Sequence, residues 1–285
     1  LLIEAKFTEE THYTMKTATV LLIPLLLSAC SSPETNVKPN NTTADTQIPS
    51  TSETRKADVV PLGPVAQITE YFVNIDPEKT VTLNGTSVGL RWRLKNDYSY
   101  DELNRLSQQK TTLWNSNYWE QLSYQYTPDL VQRYQNADSK DLVNVLLLNE
   151  KGFIKGNQEP DEYVYDADGF LISYKGNGQQ DTYTVKDGNV VARETIFNSG
   201  MIQRNTYEYD LNRPSVPSPL TFRGQQSRNL LIKQTLVVTS TASPDTQTTV
   251  FRYYYDTDSQ GRPIREYVVP NGASAPGSVR EFMYR

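Results

Sequence analysis

The chain has 285 residues, a formal net charge of −5, 19 Tyr, 16 Pro and 14 Gly, and single Cys and His residues. Tyrosine with turn formers in place of long Ala/Leu/Glu-rich stretches points to strands and turns, with helix a minor component. The charge is small for the length and no Lys/Arg run exceeds two residues, so neither nucleic acid nor an anionic membrane surface is an expected partner.

Residues 1–14 precede Met15, which is read as the true start. From Met15 a charged residue, an apolar run of about a dozen residues and small residues lead to Cys30, the architecture of an export signal. The run is shorter than the roughly 20 residues that cross a bilayer as a helix. Leu27-Ser28-Ala29-Cys30 resembles the bacterial lipobox, which implies lipid on the Cys30 thiol, cleavage ahead of it and attachment to a membrane. Resemblance of Ser31 to the same position of enterobacterial lipoproteins implies transfer to the outer membrane, with the leaflet left open. His12 lies upstream of that cleavage. The processed chain would therefore lack histidine and any cysteine pair, which excludes Ser-His-Asp and Cys-His catalysis, histidine-ligated zinc or haem, and disulfides. No cofactor is expected.

Residues 30–58 are a Ser/Thr/Asn/Pro tract too polar to pack, read as a disordered tether. A single β domain is expected over residues 59–285. Within it one phrase returns: tyrosines two apart, an acidic residue or Asn, a turn, then a second strand. Tyr163-Val-Tyr165-Asp166-Ala-Asp168-Gly169-Phe170-Leu-Ile172-Ser-Tyr174 is the clearest copy, with the period of two of half-buried strands. Others begin at Tyr98, Tyr124, Tyr207 and Tyr253, with weaker ones near Leu148 and Tyr183. Spacings of roughly 17–26 residues, with one gap about twice that, match one hairpin per repeat. About eight hairpins are expected, forming a long antiparallel meander that curls or closes like a barrel, because lone hairpins are marginal and edges must be covered. Residues 213–228, with Pro214, Pro217 and Pro219, read as a long loop. Residues 129–147 read as a segment with room for a short helix, because their apolar residues do not alternate cleanly.

The Tyr-x-Tyr-Asp-x-x-Gly phrase resembles the YD repeat of rearrangement-hotspot and teneurin proteins. The order Tyr207-Glu-Tyr209-Asp210, a Pro-bearing loop, then Tyr253-Tyr-Tyr255-Asp256 and Gly261-Arg262-Pro263 resembles a domain-of-unknown-function family of Bacteroidetes lipoproteins. That resemblance implies a porin-like antiparallel sheet and carries no catalytic residues.

Candidate sites follow from chemistry. Asp256-Thr-Asp258-Ser-Gln260-Gly261 imitates the start of a calcium loop, but Tyr267 stands where a bidentate Glu is needed, so a turn is expected instead and no metal site. Asp101, Glu102, Asp161 and Glu162 are nominal partners for a histidine-free glycan hydrolase. Trp92, Trp114, Tyr118, Trp119, Tyr124 and Tyr126 offer flat aromatic faces beside amides, the surface sugars bind, although such residues also fill ordinary sheets. The function these readings favour is a lipid-anchored, non-enzymatic binding or scaffold module of the cell envelope, with a glycan or an envelope protein as ligand. The alternatives are the hydrolase and a barrel carrying an apolar molecule.

Overall fold

The computed structural model describes residues 62–285 except 117–118, 136–140, 158–160 and 241–242. The expected signal, the Cys30 anchor and the tether all lie outside the described residues. The strands are β1 (Val65–Val73), β2 (Lys79–Leu83), β3 (Thr86–Tyr100), β4 (Leu106–Leu113), β5 (Trp119–Tyr126) and β6 (Leu130–Gln135). They continue with β7 (Asp141–Leu148), β8 (Ile154–Gly156), β9 (Glu162–Tyr165), β10 (Leu171–Gly176), β11 (Gln179–Lys186) and β12 (Asn189–Phe197). The last are β13 (Met201–Pro214), β14 (Asn229–Ser240), β15 (Ser243–Thr257), β16 (Pro263–Pro270) and β17 (Ser278–Tyr284). All belong to one 17-stranded antiparallel sheet, and the single helical turn described is Thr221–Arg223, in the loop between β13 and β14.

Successive strands pair as hairpins, and β1 closes the circuit by pairing with β17 on one edge and β3 on the other. The turn between β1 and β2 lets both run along the same edge of β3. The ladder ends, β8 and β9, are consecutive in the chain, and a Cβ on Gly156 would lie 3.2 Å from the Asp161 carbonyl. The sheet is therefore a nearly closed barrel, which removes most of the edge that an open meander would expose. Alternation is plain in β11: Gln180, Thr182, Thr184 and Lys186 are exposed, whereas Asp181 is buried and Tyr183 and Val185 are half-buried.

The repeated phrase is a clasp. Asp101 Oδ1 accepts the Leu103 and Arg105 backbone N–H groups at 2.9 Å each, and Oδ2 accepts Arg105 Nε at 2.8 Å. Asp258 does the same with Gln260 and Arg262, and Asp210 accepts the Asn212 backbone N–H and Arg213 Nε. The arginine so fixed lies over a tyrosine of the next repeat: Arg105 over Tyr126 at 4.4 Å, Arg262 over Tyr284 at 5.1 Å and Arg213 over Tyr255 at 5.9 Å. Each such tyrosine donates its hydroxyl back to a backbone carbonyl, Tyr126 to Leu106 at 2.9 Å, Tyr284 to Pro263 at 2.7 Å and Tyr255 to Leu231 at 2.9 Å. Tyr100 and Tyr209 make the same bond, at 2.6 Å, to Val65 and Val190. Tyr126→Phe is expected to cost about 1 kcal/mol, the net worth of one such bond. Urea unfolding of the variant reads it, and an unchanged midpoint would mean the hydroxyl is decorative.

Two sequence expectations are corrected. Residues 130–135 and 141–148 are strands, and the short helix expected across 129–147 is not among the described residues. Outward Leu142 and Leu147 are 47 % and 40 % exposed, and these apolar residues on the solvent side are what blurred the alternation. In the last full repeat the turn acid is Asp258; Asp256 lies on the strand, accepting Arg265 Nη1 at 2.6 Å and the Tyr267 hydroxyl at 2.7 Å.

Candidate ligand-binding surface

The inner face is identified by the β13–β14 loop, which reaches across to β5: Phe222 is buried, its ring 5.9 Å from Tyr124 and 6.4 Å from Tyr126. Strand registers place further residues on the same face. Around β4–β8 the inner wall is apolar, with Leu106, Leu122, Val131, Leu146, Leu148 and Ile154 packed with Phe222. Around β11–β17 it is tyrosine with paired charges. Arg193 Nη2 meets the buried Asp181 at 2.9 Å, and the Tyr183 hydroxyl donates to the same carboxylate at 3.2 Å. Arg280 Nε donates to the buried Glu266 at 2.8 Å, and the Tyr255 hydroxyl oxygen lies 3.2 Å from its other oxygen. Tyr253 donates to Gln234 at 2.7 Å, which donates in turn to Asn205 at 2.8 Å.

Burial raises the pKa of these phenols, Tyr98, Tyr183, Tyr207 and Tyr255 included, and pushes Tyr253 up to about 12. They remain neutral hydroxyls at physiological pH, able to donate and accept, with flat faces beside guanidinium groups.

The aromatic residues singled out in the sequence do not share one face. Tyr124 and Tyr126 line the inner wall under Phe222. Trp114 packs edge-on to Phe72 at 6.3 Å, with Arg91 4.6 Å from its ring. Trp92 borders an outer-face pocket of about 310 Å³ shared with Tyr71, Lys79, Lys95 and Glu281. Trp119 points outward, 51 % exposed, with Lys110 at 5.7 Å. Tyr118 lies outside the described residues.

The carboxylates nominated for hydrolysis have separate duties. Asp101 is held in its turn, where hydrogen bonds from Arg105 and Leu103 outweigh the opposing effect of desolvation and keep its pKa below the usual value. Asp161 is buried, accepting Asn157 at 2.7 Å and the Tyr174 hydroxyl at 3.3 Å. Glu102 and Glu162 are exposed. Among the described residues no group of His, Cys, Asp and Glu is arranged to hold a metal ion.

Sequence reasoning passed over Phe222, Arg133, Asp181, Arg193, Glu266 and Arg280. The signal for the last four was their placement at inward positions of the strands that carry or adjoin the tyrosine pairs. The outer face carries charge in mid-strand, with Glu194 to Arg204 and Glu208 to Lys233 both at 2.6 Å.

No protein family and no curated protein matches the sequence. Among solved structures, a porin-like protein from Bacteroides uniformis aligns over 79 % of this chain and 99 % of its own, at 15 % identity and a TM-score of 0.51. A porin-like protein from Bacteroides vulgatus aligns over 78 % of this chain and 99 % of its own, at 13 % identity and a TM-score of 0.48. The first likeness is one of fold: the chain has a porin-like antiparallel sheet.

Proposed function

We propose that the chain is a non-enzymatic binding module of the bacterial cell envelope, tethered through lipid on Cys30, whose tyrosine-lined inner wall takes a glycan. The observation that carries this reading is that wall: neutral phenols beside the Asp181–Arg193 and Glu266–Arg280 pairs, a surface rich in flat faces and hydrogen-bonding groups. The mid-strand ion pairs on the outer face of β12–β14 support tethering over insertion, because a barrel that crosses a bilayer needs an outward apolar band around its whole circumference. An apolar cargo fits less well, since the apolar part of the interior is already filled by Phe222 and Leu220. Hydrolysis fits less well because the nominated carboxylates are committed to a turn, to a buried network or to solvent.

The test is a glycan-array screen of the full chain and of Tyr207→Ala and Trp119→Ala, with bound oligosaccharides analysed for cleavage. Tyr207→Ala is expected to weaken binding about tenfold, the scale of one lost aromatic contact with its hydroxyl, while Trp119→Ala retains it. The reverse pattern would move the site to the outer aromatics, cleavage would restore the hydrolase, and silence on all glycans would favour an envelope-protein partner.

A further inference from the structure

Elsewhere on the inner wall cations are matched by acids, as Arg193 is by Asp181 and Arg280 by Glu266. Two are not. Arg133 on β6 stands opposite Tyr124 in the β5–β6 register, and its Nε is shut from solvent with no hydrogen-bond partner. It forms no ion pair among the described residues.

Arg223 is placed by its chain neighbours. Phe222 before it rests on Tyr124 and Tyr126, and Gly224 after it sits so close to Tyr165 that a Cβ there would lie 2.5 Å from the ring. The backbone of Arg223 is thus fixed beside the Tyr124 and Tyr165 rings, while its side chain is exposed and, likewise, forms no ion pair among the described residues. The Tyr165 hydroxyl is buried without a partner. Both guanidinium groups favour ionisation of Tyr124, opposing the burial that raises its pKa, and Arg223 acts the same way on Tyr163 and Tyr165. The carboxylates facing this cluster are Glu120, which accepts Gln135 at 3.5 Å, and Asp161, already bonded to Asn157 and Tyr174. Neither is paired with Arg133 or Arg223.

We infer that Arg133 and Arg223, with the hydroxyl of Tyr165, form an anion subsite that takes the acidic group of an oligosaccharide; the Tyr124 hydroxyl beside them is already donated to Gln109 at 3.3 Å. This rests on the inner-wall glycan reading and narrows it to acidic glycans. A guanidinium fork matches the paired oxygens of a carboxylate or sulfate, the unpartnered Tyr165 phenol adds a donor, and the adjoining apolar wall strengthens the attraction by lowering the local dielectric.

The experiment is calorimetric titration of the full chain with trigalacturonate, with galactotriose and with sulfated galactotriose. The unmodified protein is expected to bind an acidic probe about tenfold more tightly than the neutral one, the worth of one charge-assisted pair. Whether the uronate or the sulfate arm shows the gain identifies the acid. Arg223→Gln, at an exposed loop position, and Arg133→Gln should each abolish the preference and leave galactotriose binding unchanged; Arg133→Lys should restore part of it. Equal affinity for acidic and neutral probes would overturn the subsite and leave the glycan reading standing. A preference that survives both glutamine variants would also overturn the subsite. Failure to bind any of the three would overturn both readings.

Discussion

Phe222→Ala is expected to destabilise the β domain by about 3–5 kcal/mol, the cost of removing a large aromatic side chain from a packed core. Phe222 is 5 % exposed and, with Leu220, packs the β13–β14 loop against the opposite wall. The loop is built to deliver it. Gln226 accepts the Ser218 N–H at 2.7 Å and donates to Ser215 and Val216 at 3.1 Å each, while the Gln225 N–H bonds the Gly169 carbonyl at 2.8 Å. Gly224 has φ +95°, so an alanine there would add backbone strain to its clash with Tyr165. Urea unfolding measures the loss, and Phe222→Leu should recover much of it. Trp119→Ala, on the solvent side, should shift stability by less than about 0.5 kcal/mol. A cost below about 1 kcal/mol for Phe222→Ala would mean that the loop folds outside the cooperative core.

The architecture was legible because two local rules repeat in the sequence. Tyrosines two apart share a face, and an aspartate followed by Gly or Asn and Arg closes a turn on itself; neither rule needs knowledge of the rest of the chain. The site was less legible because bulges interrupt the count of two. Register shifts between Ser99 and Tyr100, and between Glu70 and Tyr71 against β3, reverse which residues face inward. The second shift leaves Arg93 unpaired on β3, which is why Trp92 stands outside while Tyr98 and Tyr100 stand inside, although all three lie on one strand. The Asp256-Thr-Asp258 stretch offers two acids to one turn, and only pairing with β16, which gives Asp256 its Arg265 and Tyr267 partners, decides between them. Arg133 and Arg223 are ninety positions apart in the numbering. One stands opposite Tyr124 in the β5–β6 register and the other is brought beside it by a proline-rich loop that seats Phe222 on the Tyr124 ring, which no local pattern states.

Stability should hold from neutral pH to about 10 and then fall steeply, because an exposed tyrosine ionises near 10 and the folded chain withholds that ionisation. Tyr100, Tyr174, Tyr253 and Tyr284 are each pushed up to about 12, chiefly by burial, and the pKa of Tyr98, Tyr126, Tyr183 and Tyr255 is raised as well. Raised folded values mean that the stabilisation is fully present below the unfolded pKa and is lost as pH climbs through the folded ones, a window from about 10 to about 12. The loss should be cooperative, because an ionised Tyr100 or Tyr284 can no longer donate to the Val65 or Pro263 carbonyl and the clasp opens. Phenolate absorbance and the far-ultraviolet β signal, followed together on raising pH, should therefore change in one transition involving several protons. Tyr253→Phe should make that transition shallower by removing one of them. Phenolate appearing at the midpoint of free tyrosine, with the β signal intact, would mean that the phenols already meet bulk water and that the inner wall is not the enclosed surface on which the binding proposal depends.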